Sequence, residues 1–430
     1  MTQSKFWKLK RNPGNYGVVG PDERLPWHET LVMGMQHVVA MFGATVLAPL
    51  LMGFDPNLAI LMSGIGTLIF FIVVKGRIPS FLGSSFSFIG VVIAASGYAG
   101  TGPNLNIPTA LGGIVVCGII IALVGLVVMQ VGASWIERLM PPVVTGAVVA
   151  VIGLNLAPVA VKGAMGSSNF DAWMAVMTVF LIGTVAVYTK GIVSRLLILM
   201  GLILSYMIYL LLANGLGMGL PIDFSNLSAA SWLGLPTMIV PQFDISSISL
   251  IAPVAVILIA ENLGHVKAVG AMTGRNFDPD MGRAFLGDGF ATMLSGSVGG
   301  PGVTTYAENI GVMAVTKVYS TLIFVVAGLM AIILGFSPKF GALIQSIPGP
   351  VMGGVSMVVF GLIAVAGARI WVENRVDFSD NRNLIIVAVT LILGAGDFSL
   401  KLGTLSLSGI GTATFGAIIL HVFLGKKSKA

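Results

Sequence analysis

The chain has 430 residues, 56% of them hydrophobic and only 9% charged, where a soluble domain carries roughly 25% charged residues. That balance excludes a water-soluble globular protein and marks an integral membrane protein, and the 56 glycines suit membrane helices that pack closely or break at a binding site. The formal charge of +6 comes from basic residues scattered singly through loops, which leaves no electrostatic footprint for a nucleic-acid partner.

Residues 1–27 read as a polar leader. The opening M-T-Q-S-K-F-W-K-L-K-R is charged but has no apolar core, so no signal peptide is expected. Pro21, Pro26 and the Asp22-Glu23-Arg24 run argue against a long helix there. Apolar segments follow at about 29–50, 57–74, 81–97, 108–130, 141–160, 172–189 and 195–214. A polar connector, about 215–246, carries Asp223, Asp244 and several Pro and Ser residues. Apolar segments resume at about 247–265, 284–298, 303–316, 318–336, 343–366, 383–396 and 408–424. The pattern predicts an all-α polytopic membrane protein of fourteen spans. The third, ninth, tenth and thirteenth are short, or broken by Gly and Ser, against the roughly 20 apolar residues of a full crossing. Cys117 is the lone cysteine and the four histidines are scattered, so neither a disulfide framework nor a metal centre is expected.

Loop charges test the count. With the N-terminus inside, the inner side holds Lys5, Lys8, Lys10, Arg11 and Arg24, then Lys75, Arg77, Arg138, Lys190 and Arg195. It also holds Lys267, Arg275, Arg283, Lys317, Arg369, Arg375, Arg382, Lys426, Lys427 and Lys429. The outer side receives only Lys162, Lys339 and Lys401, a split of 20 to 3. An even number of spans with both termini cytoplasmic gives that asymmetry. The connector carries no Lys or Arg, in keeping with an outer location.

Seven spans, a connector and seven more suggest a duplication, which three self-matches favour. Pro142-Val143, Gly146 and Gly153-Leu154 recur as Pro350-Val351, Gly354 and Gly361-Leu362; Gly64 and Thr67 recur as Gly289 and Thr292; Ser84-Ser85-Phe86-Ser87-Phe88 recurs as Thr304-Thr305-Tyr306-Ala307-Glu308. Because each half has an odd number of spans, the repeats enter the membrane from opposite sides. Such inverted repeats carry substrate at the midplane between interrupted helices.

The third and tenth segments share a grammar: a hydroxyl pair and an aromatic residue, flanked by Gly or Pro, precede an apolar run. Irregular backbone at membrane depth survives only when buried in protein or lining a cavity, and a helix starting after it points its positive end inward. Close packing through small residues is the plainer explanation of either segment alone. Glu261 in L-I-A-E-N-L-G-H and Glu308 in T-T-Y-A-E-N-I-G are ionisable residues at membrane depth, which by default mark function. Such a carboxylate either serves as a protonated structural residue or exchanges protons and accepts N–H groups from a neutral, amide-like ligand. His265 stands four residues after Glu261, on the same helical face. His37 and Gln36 are expected to line or brace the pocket, and Asp288 to brace a neighbouring helix. No G-x-x-x-x-G-K-[ST], H-E-x-x-H or G-x-S-x-G occurs, so the machinery of an ATP-driven pump or a familiar membrane hydrolase is missing and no enzyme is expected.

These stretches resemble the nucleobase-ascorbate transporters, also called the second nucleobase-cation symporter family. The resemblance runs from about Leu25 to Leu424 and rests on Q-H-V-V-A-M-F-G-A-T-V-L-A-P (36–49), G-S-S-F-S-F (83–88), A-E-N-L-G-H (260–265) and T-T-Y-A-E-N-I-G-V-M-A-V-T-K (304–317). It is nearer to the pyrimidine carriers of that family than to its xanthine and urate carriers.

The resemblance implies two inverted seven-span repeats, 28–214 and 247–425, about the 215–246 connector. A core domain would comprise spans 1–4 (28–130) and 8–11 (247–336), and a gate domain spans 5–7 (141–214) and 12–14 (343–425). Short strands in spans 3 and 10 would cross near the substrate. Glu261 and Glu308 would contact the base, the backbone at Phe86 and Ala307 would hydrogen-bond it, and Ala44 and Tyr306 would line the pocket. His265 would support Glu261, with Asp288 and Asn309 as further supports of proton coupling. The implied protein is a proton-coupled importer of uracil and related pyrimidines in the inner membrane, without cofactor, with H+ as coupling ion, and homodimeric through the gate domain. Two positions depart from the family's uracil permeases: Ala307 replaces a Gly, and Asn262 replaces a His. Both put the preference among uracil, thymine and xanthine in question. An oxopurine carrier and an anion carrier of the same fold stand as the other readings.

Overall fold

The computed structural model describes residues 7–10, 17–98, 104–402 and 405–425. Lys5, Arg11, Lys426, Lys427 and Lys429 of the charge count therefore lie outside the described residues, as do residues 1–6 and 11–16 of the leader.

The described part of the leader forms two short strands, β1 (Lys8–Leu9) and β2 (Glu23–Arg24), paired in parallel. Helices α1 (Trp27–Met52) and α2 (Pro56–Val73) follow, separated by Gly53 in the left-handed conformation. Strand β3 (Leu82–Ser84) and a 3-10 turn lead into the short α3 (Ile89–Ser96). Then come α4 (Ile107–Val131), α5 (Ser134–Leu139), α6 (Pro142–Asn155), α7 (Ala157–Met165), α8 (Asn169–Tyr188), α9 (Ile192–Arg195) and α10 (Leu197–Leu210). The connector is irregular apart from α11 (Ser225–Ala229).

The second half opens with α12 (Ile245–Ile251) and α13 (Val254–Thr273), broken at Pro253, and continues with α14 (Met281–Val298). Strand β4 (Val303–Thr305) leads directly into α15 (Ala307–Thr316), followed by α16 (Thr321–Gly335) and α17 (Pro338–Gln345). The chain continues through α18 (Gly349–Glu373), α19 (Asn381–Ala395), the antiparallel pair β5 (Leu400–Leu402) and β6 (Leu405–Leu407), and α20 (Gly409–Leu424).

Among the described residues, eight helices are long and apolar enough to cross a membrane, or nine if α16 and α17, bent by 81°, count as one. Each apolar stretch of the sequence contains helix, the third and tenth after a short strand, and the leader has no long helix among its described residues. The structure corrects the start of the 343–366 segment: its first residues belong to α17, and α18 begins only at Gly349, after Pro348.

The helices pack in two groups. In one, α16 lies on α2, α2 on α14 and α14 on α4, with α1 against α16; in the other, α18 packs on α6, α7 and α8, and α19 on α6 and α20. Small residues set the approach in the first group. A Cβ at Gly64 would lie 2.5 Å from the Gly328 carbonyl oxygen on α16, and one at Gly289 would lie 2.6 Å from the Ala122 nitrogen on α4. Backbones this close gain dispersion contacts that lipid cannot match.

Candidate functional site

Strands β3 and β4 cross in the middle of the first helix group as an antiparallel pair, with Leu82 opposite Thr305, Gly83 opposite Thr304 and Ser84 opposite Val303. Both are fully buried, so each edge must find partners. Thr67 on α2 receives the Leu82 N–H at 2.9 Å, while Thr292 on α14 donates to the Val303 carbonyl at 2.7 Å and accepts its N–H at 3.3 Å. These threonines are the pair matched in the internal repeat, and they do the same job for the two strands. The Ser85 N–H donates to the Gly302 carbonyl and the Tyr306 N–H to that of Phe81, each at 3.0 Å, extending the ladder at both ends.

Each strand then runs into a helix that begins inside the protein. The first N–H groups of a helix have no intrahelical partner, and together with the macrodipole they present positive charge. The short helical run from Phe86 and the start of α15 at Ala307 thus aim two donor-rich ends into the space beside the crossing.

Tyr306 is built into this crossing. Its hydroxyl donates to the Ser84 carbonyl at 2.8 Å and accepts from Thr45 of α1 at 3.1 Å, so the ring is tied to β3 and to α1. The ring fills the space over Gly83, where a Cβ would meet Tyr306 Cζ at 2.4 Å. Ala44 is buried next to Thr45, and Phe86 is half-buried, its ring edge-on to Phe360 of α18 at 6.2 Å. That contact joins the two helix groups.

Three carboxyl groups converge here. Glu261 on α13 lies within electrostatic reach of both Asp288 on α14 and Glu308 on α15. Among the described residues none of the three forms an ion pair with Lys or Arg. Asp288 is fully buried and accepts from Thr304 of β4 at 3.4 Å, a contact to a strand where the sequence suggested a neighbouring helix. Glu261 and Glu308 are half-buried, and beside them Gly264, Ala307 and Gly311 are exposed. A Cβ at Gly264 or Gly311 would meet nothing within 4 Å. Exposure continues down α13 through Lys267, Ala268 and Ala271 and down α15 through Ala314 and Val315. The exposed faces of α13 and α15 thus run from beside the two carboxylates toward the helix ends at Gly274 and Lys317.

The supporting residues divide. Asn309, next to Glu308, is fully buried; its amide donates to the His37 carbonyl at 3.0 Å and meets His37 Nδ1 at 3.0 Å. The His37 ring rests on Phe324 at 4.6 Å, so α1 and α16 hold the turn that presents Glu308. Gln36 is half-buried. His265 Nδ1 pairs with the Thr305 hydroxyl at 2.9 Å, which fastens α13 to β4 one turn below Glu261. Sequence reasoning missed Thr45. Thr67, Thr292 and Thr305 appeared only as members of the repeat matches, with no role assigned to any of them. Cys117 is buried in α4 as a small apolar residue.

Broken helices with crossing strands, and acidic groups without a basic partner among the described residues beside them in a polytopic bundle, define a membrane carrier of small molecules. The sequence pattern of the permease family Xan_ur_permease matches residues 28–402, and the chain belongs to that family. It is 67% identical over 421 residues to the putative pyrimidine permease RutG of Escherichia coli (strain K12), covering 98% of this chain and 95% of that protein. It is 42% identical to the uracil permease of Paenibacillus larvae (94% of this chain, 96% of that one) and 38% identical to the uracil permease of E. coli K12 (94% and 93%). Among solved structures, the transmembrane domain of the cyanobacterial bicarbonate transporter BicA has the same fold at a TM-score of 0.66, with 16% identity, 91% of this chain and 96% of that chain covered. The murine anion transporter Slc26a9 matches equally, at 10% identity over 93% of this chain and 68% of that chain.

Proposed function

We propose that this protein is a proton-coupled symporter that imports uracil and related pyrimidine nucleobases, thymine among them, across the cytoplasmic membrane. The observation that carries the reading is that Glu261 and Glu308, neither ion-paired to Lys or Arg among the described residues, stand beside two helix starts within the protein, at what this reading takes as the inner end of a cleft between α13 and α15. A pyrimidine dione presents alternating N–H and C=O groups along one edge, and such a site offers carboxylate acceptors beside backbone donors. In this reading Glu261 and Glu308 take the ring N–H groups and the backbone at Phe86 and Ala307 meets the carbonyls. Ala44 shapes the wall, and Tyr306 holds the strand beneath the base.

The architecture in this reading is fourteen spans in two inverted repeats, 28–214 and 247–425. The core is formed by 28–130 and 247–336 and the gate by 141–214 and 343–425, with both termini cytoplasmic. The equivalent duties of Thr67 and Thr292, and of Gly64 and Gly289, support the repeat. The cleft opening toward Lys317 then faces the cytoplasm, the side on which a carrier releases cargo. Desolvating two like charges together is costly, so at least one of Glu261 and Glu308 is neutral when the base is bound. A proton taken from the outer side meets that need and couples import to the proton gradient, while His265, Asp288 and Asn309 keep the two groups in place. The gate domain is the proposed homodimer surface.

The fold likeness to anion transporters does not extend to the ligand, because the charged groups at the crossing are acids. Uptake of labelled uracil into proteoliposomes, in competition with thymine, xanthine and hypoxanthine, tests the substrate class. Stronger displacement by xanthine than by thymine would favour an oxopurine carrier and overturn the pyrimidine reading.

A further inference from the structure

The connector between the two halves is a belt laid along one rim of the first helix group. Its backbone is fastened in sequence to four helix ends. The Lys339 N–H donates to the Ser231 carbonyl at 3.0 Å and the Gly234 N–H to that of Phe336 at 2.9 Å, beside the end of α16. The Thr237 N–H reaches Asp55, which caps α2, at 3.4 Å. The Ile239 N–H donates to the Val298 carbonyl at the end of α14 (3.0 Å), and that of Gln242 to the Pro108 carbonyl at the start of α4 (2.8 Å). Because α16, α2, α14 and α4 pack side by side in that order, the belt follows their row.

While its backbone is turned inward, its side chains are not. Trp232, Leu233, Leu235, Met238, Val240 and Phe243 are each more than half exposed, between 58% and 79%. An apolar run of this kind in water would be a liability. Three observations say what covers it. Exposed apolar residues flank its anchor points, Ile333 on α16 three residues before Phe336 and Leu105 three residues before Pro108. No Lys or Arg occurs between Arg195 and Lys267. The backbone is also partly suited to a layer poor in water: Pro236 and Pro241 have no N–H, and the N–H groups of Gly234, Thr237, Ile239 and Gln242 are spent on the helix ends, so six of the thirteen residues 231–243 present no free N–H to desolvate. Lys339 sits over the Trp232 ring at 5.1 Å, the pairing of an amphipathic ring with a cation that suits the headgroup level.

We propose that residues 231–243 form an interfacial anchor, inserted into the phospholipid headgroup layer on the connector's side, which fixes the depth of the first helix group in the bilayer. This rests on the chain spanning a membrane and not on the identity of the cargo.

The test uses the full chain in phospholipid vesicles, with a nitroxide attached singly at Leu235→Cys, Val240→Cys or Phe243→Cys and, for comparison, at the exposed polar Asn226→Cys. Cys117 is buried, which keeps background labelling low. The expected result is a several-fold higher ratio of oxygen to water-soluble nickel collisions at the three belt positions than at Asn226→Cys. Equal ratios would overturn the anchor in favour of a water-facing belt. Spin–spin broadening at the belt positions would overturn it in favour of a second copy of the chain. Should a labelled variant fail to fold, quenching of the unlabelled protein by brominated lipid is compared with that of Trp232→Phe: a loss of quenching in the variant supports the anchor, and no difference contradicts it.

Discussion

Replacing Gly83 by Ala tests whether the strand crossing is as tight as the site requires. The new methyl would lie 2.4 Å from Tyr306 Cζ and 2.7 Å from Thr45 Oγ1, distances at which something must move. Strand β3 is held on its other side by Thr67, so the Tyr306 ring is the element that yields. Overpacking of this kind costs about 1–3 kcal/mol. Displacing the ring also breaks the hydrogen bonds of its hydroxyl with Ser84 and Thr45, about 1 kcal/mol each. The sum is about 3–5 kcal/mol, and since about 1.4 kcal/mol is tenfold in an equilibrium, a third of it felt at the base would weaken binding tenfold. The expected outcome is a fall of at least that size in apparent uracil affinity, together with a lower melting temperature in detergent. The assay pairs labelled-uracil uptake in proteoliposomes with thermal unfolding of the purified variant. Wild-type values in both would refute the idea that Tyr306 locks the two strands at van der Waals contact.

Thr67→Val and Thr292→Val should each destabilise the protein by about 1–3 kcal/mol, because a buried strand group loses its partner; a melting-temperature change in only one of them would break the equivalence of the two halves. Asn309→Ala removes the amide that ties α15 to His37 and should abolish most uptake while the protein still purifies as a folded species; retention of normal uptake would show that Glu308 needs no such support. Val19→Asp places a charge in a buried cluster with Leu25, Val318 and Ile323, and should lower the melting temperature by loosening the leader from the α15–α16 junction, an effect absent if the leader is dispensable.

The all-helical membrane character was legible because apolar helices long enough to cross a bilayer announce themselves by composition. The crossing of residues 82–84 with 303–305 was expected from the family resemblance; its register came only with coordinates, since which residues face each other depends on how α2 and α14 hold the strands. The two acidic positions stood out from a chain so poor in charge. Their surroundings did not: Thr67 and Thr292 look like ordinary small helix residues until a buried strand backbone is seen to need each of them, and Thr45 and Thr305 until their partners, the Tyr306 hydroxyl and the His265 ring, are in place. His265 illustrates the limit of spacing arguments. Its place four residues from Glu261 suggested a direct pairing, whereas its ring nitrogen meets Thr305. The exposed faces of α13 and α15 beside the two acids belong to tertiary placement, which no local pattern encodes.

The central claim, that a proton taken up at Glu261 and Glu308 drives import of the base, is tested most directly by uracil accumulation in proteoliposomes carrying an imposed proton gradient, for wild type and Glu308→Gln side by side. The account predicts accumulation above the external concentration when the outside is acid, collapse of that accumulation on adding a protonophore, and its absence in a Glu308→Gln protein that still folds. Uptake by wild type at one rate with and without the gradient across a range of pH, or an unchanged uptake curve in Glu308→Gln, would contradict it.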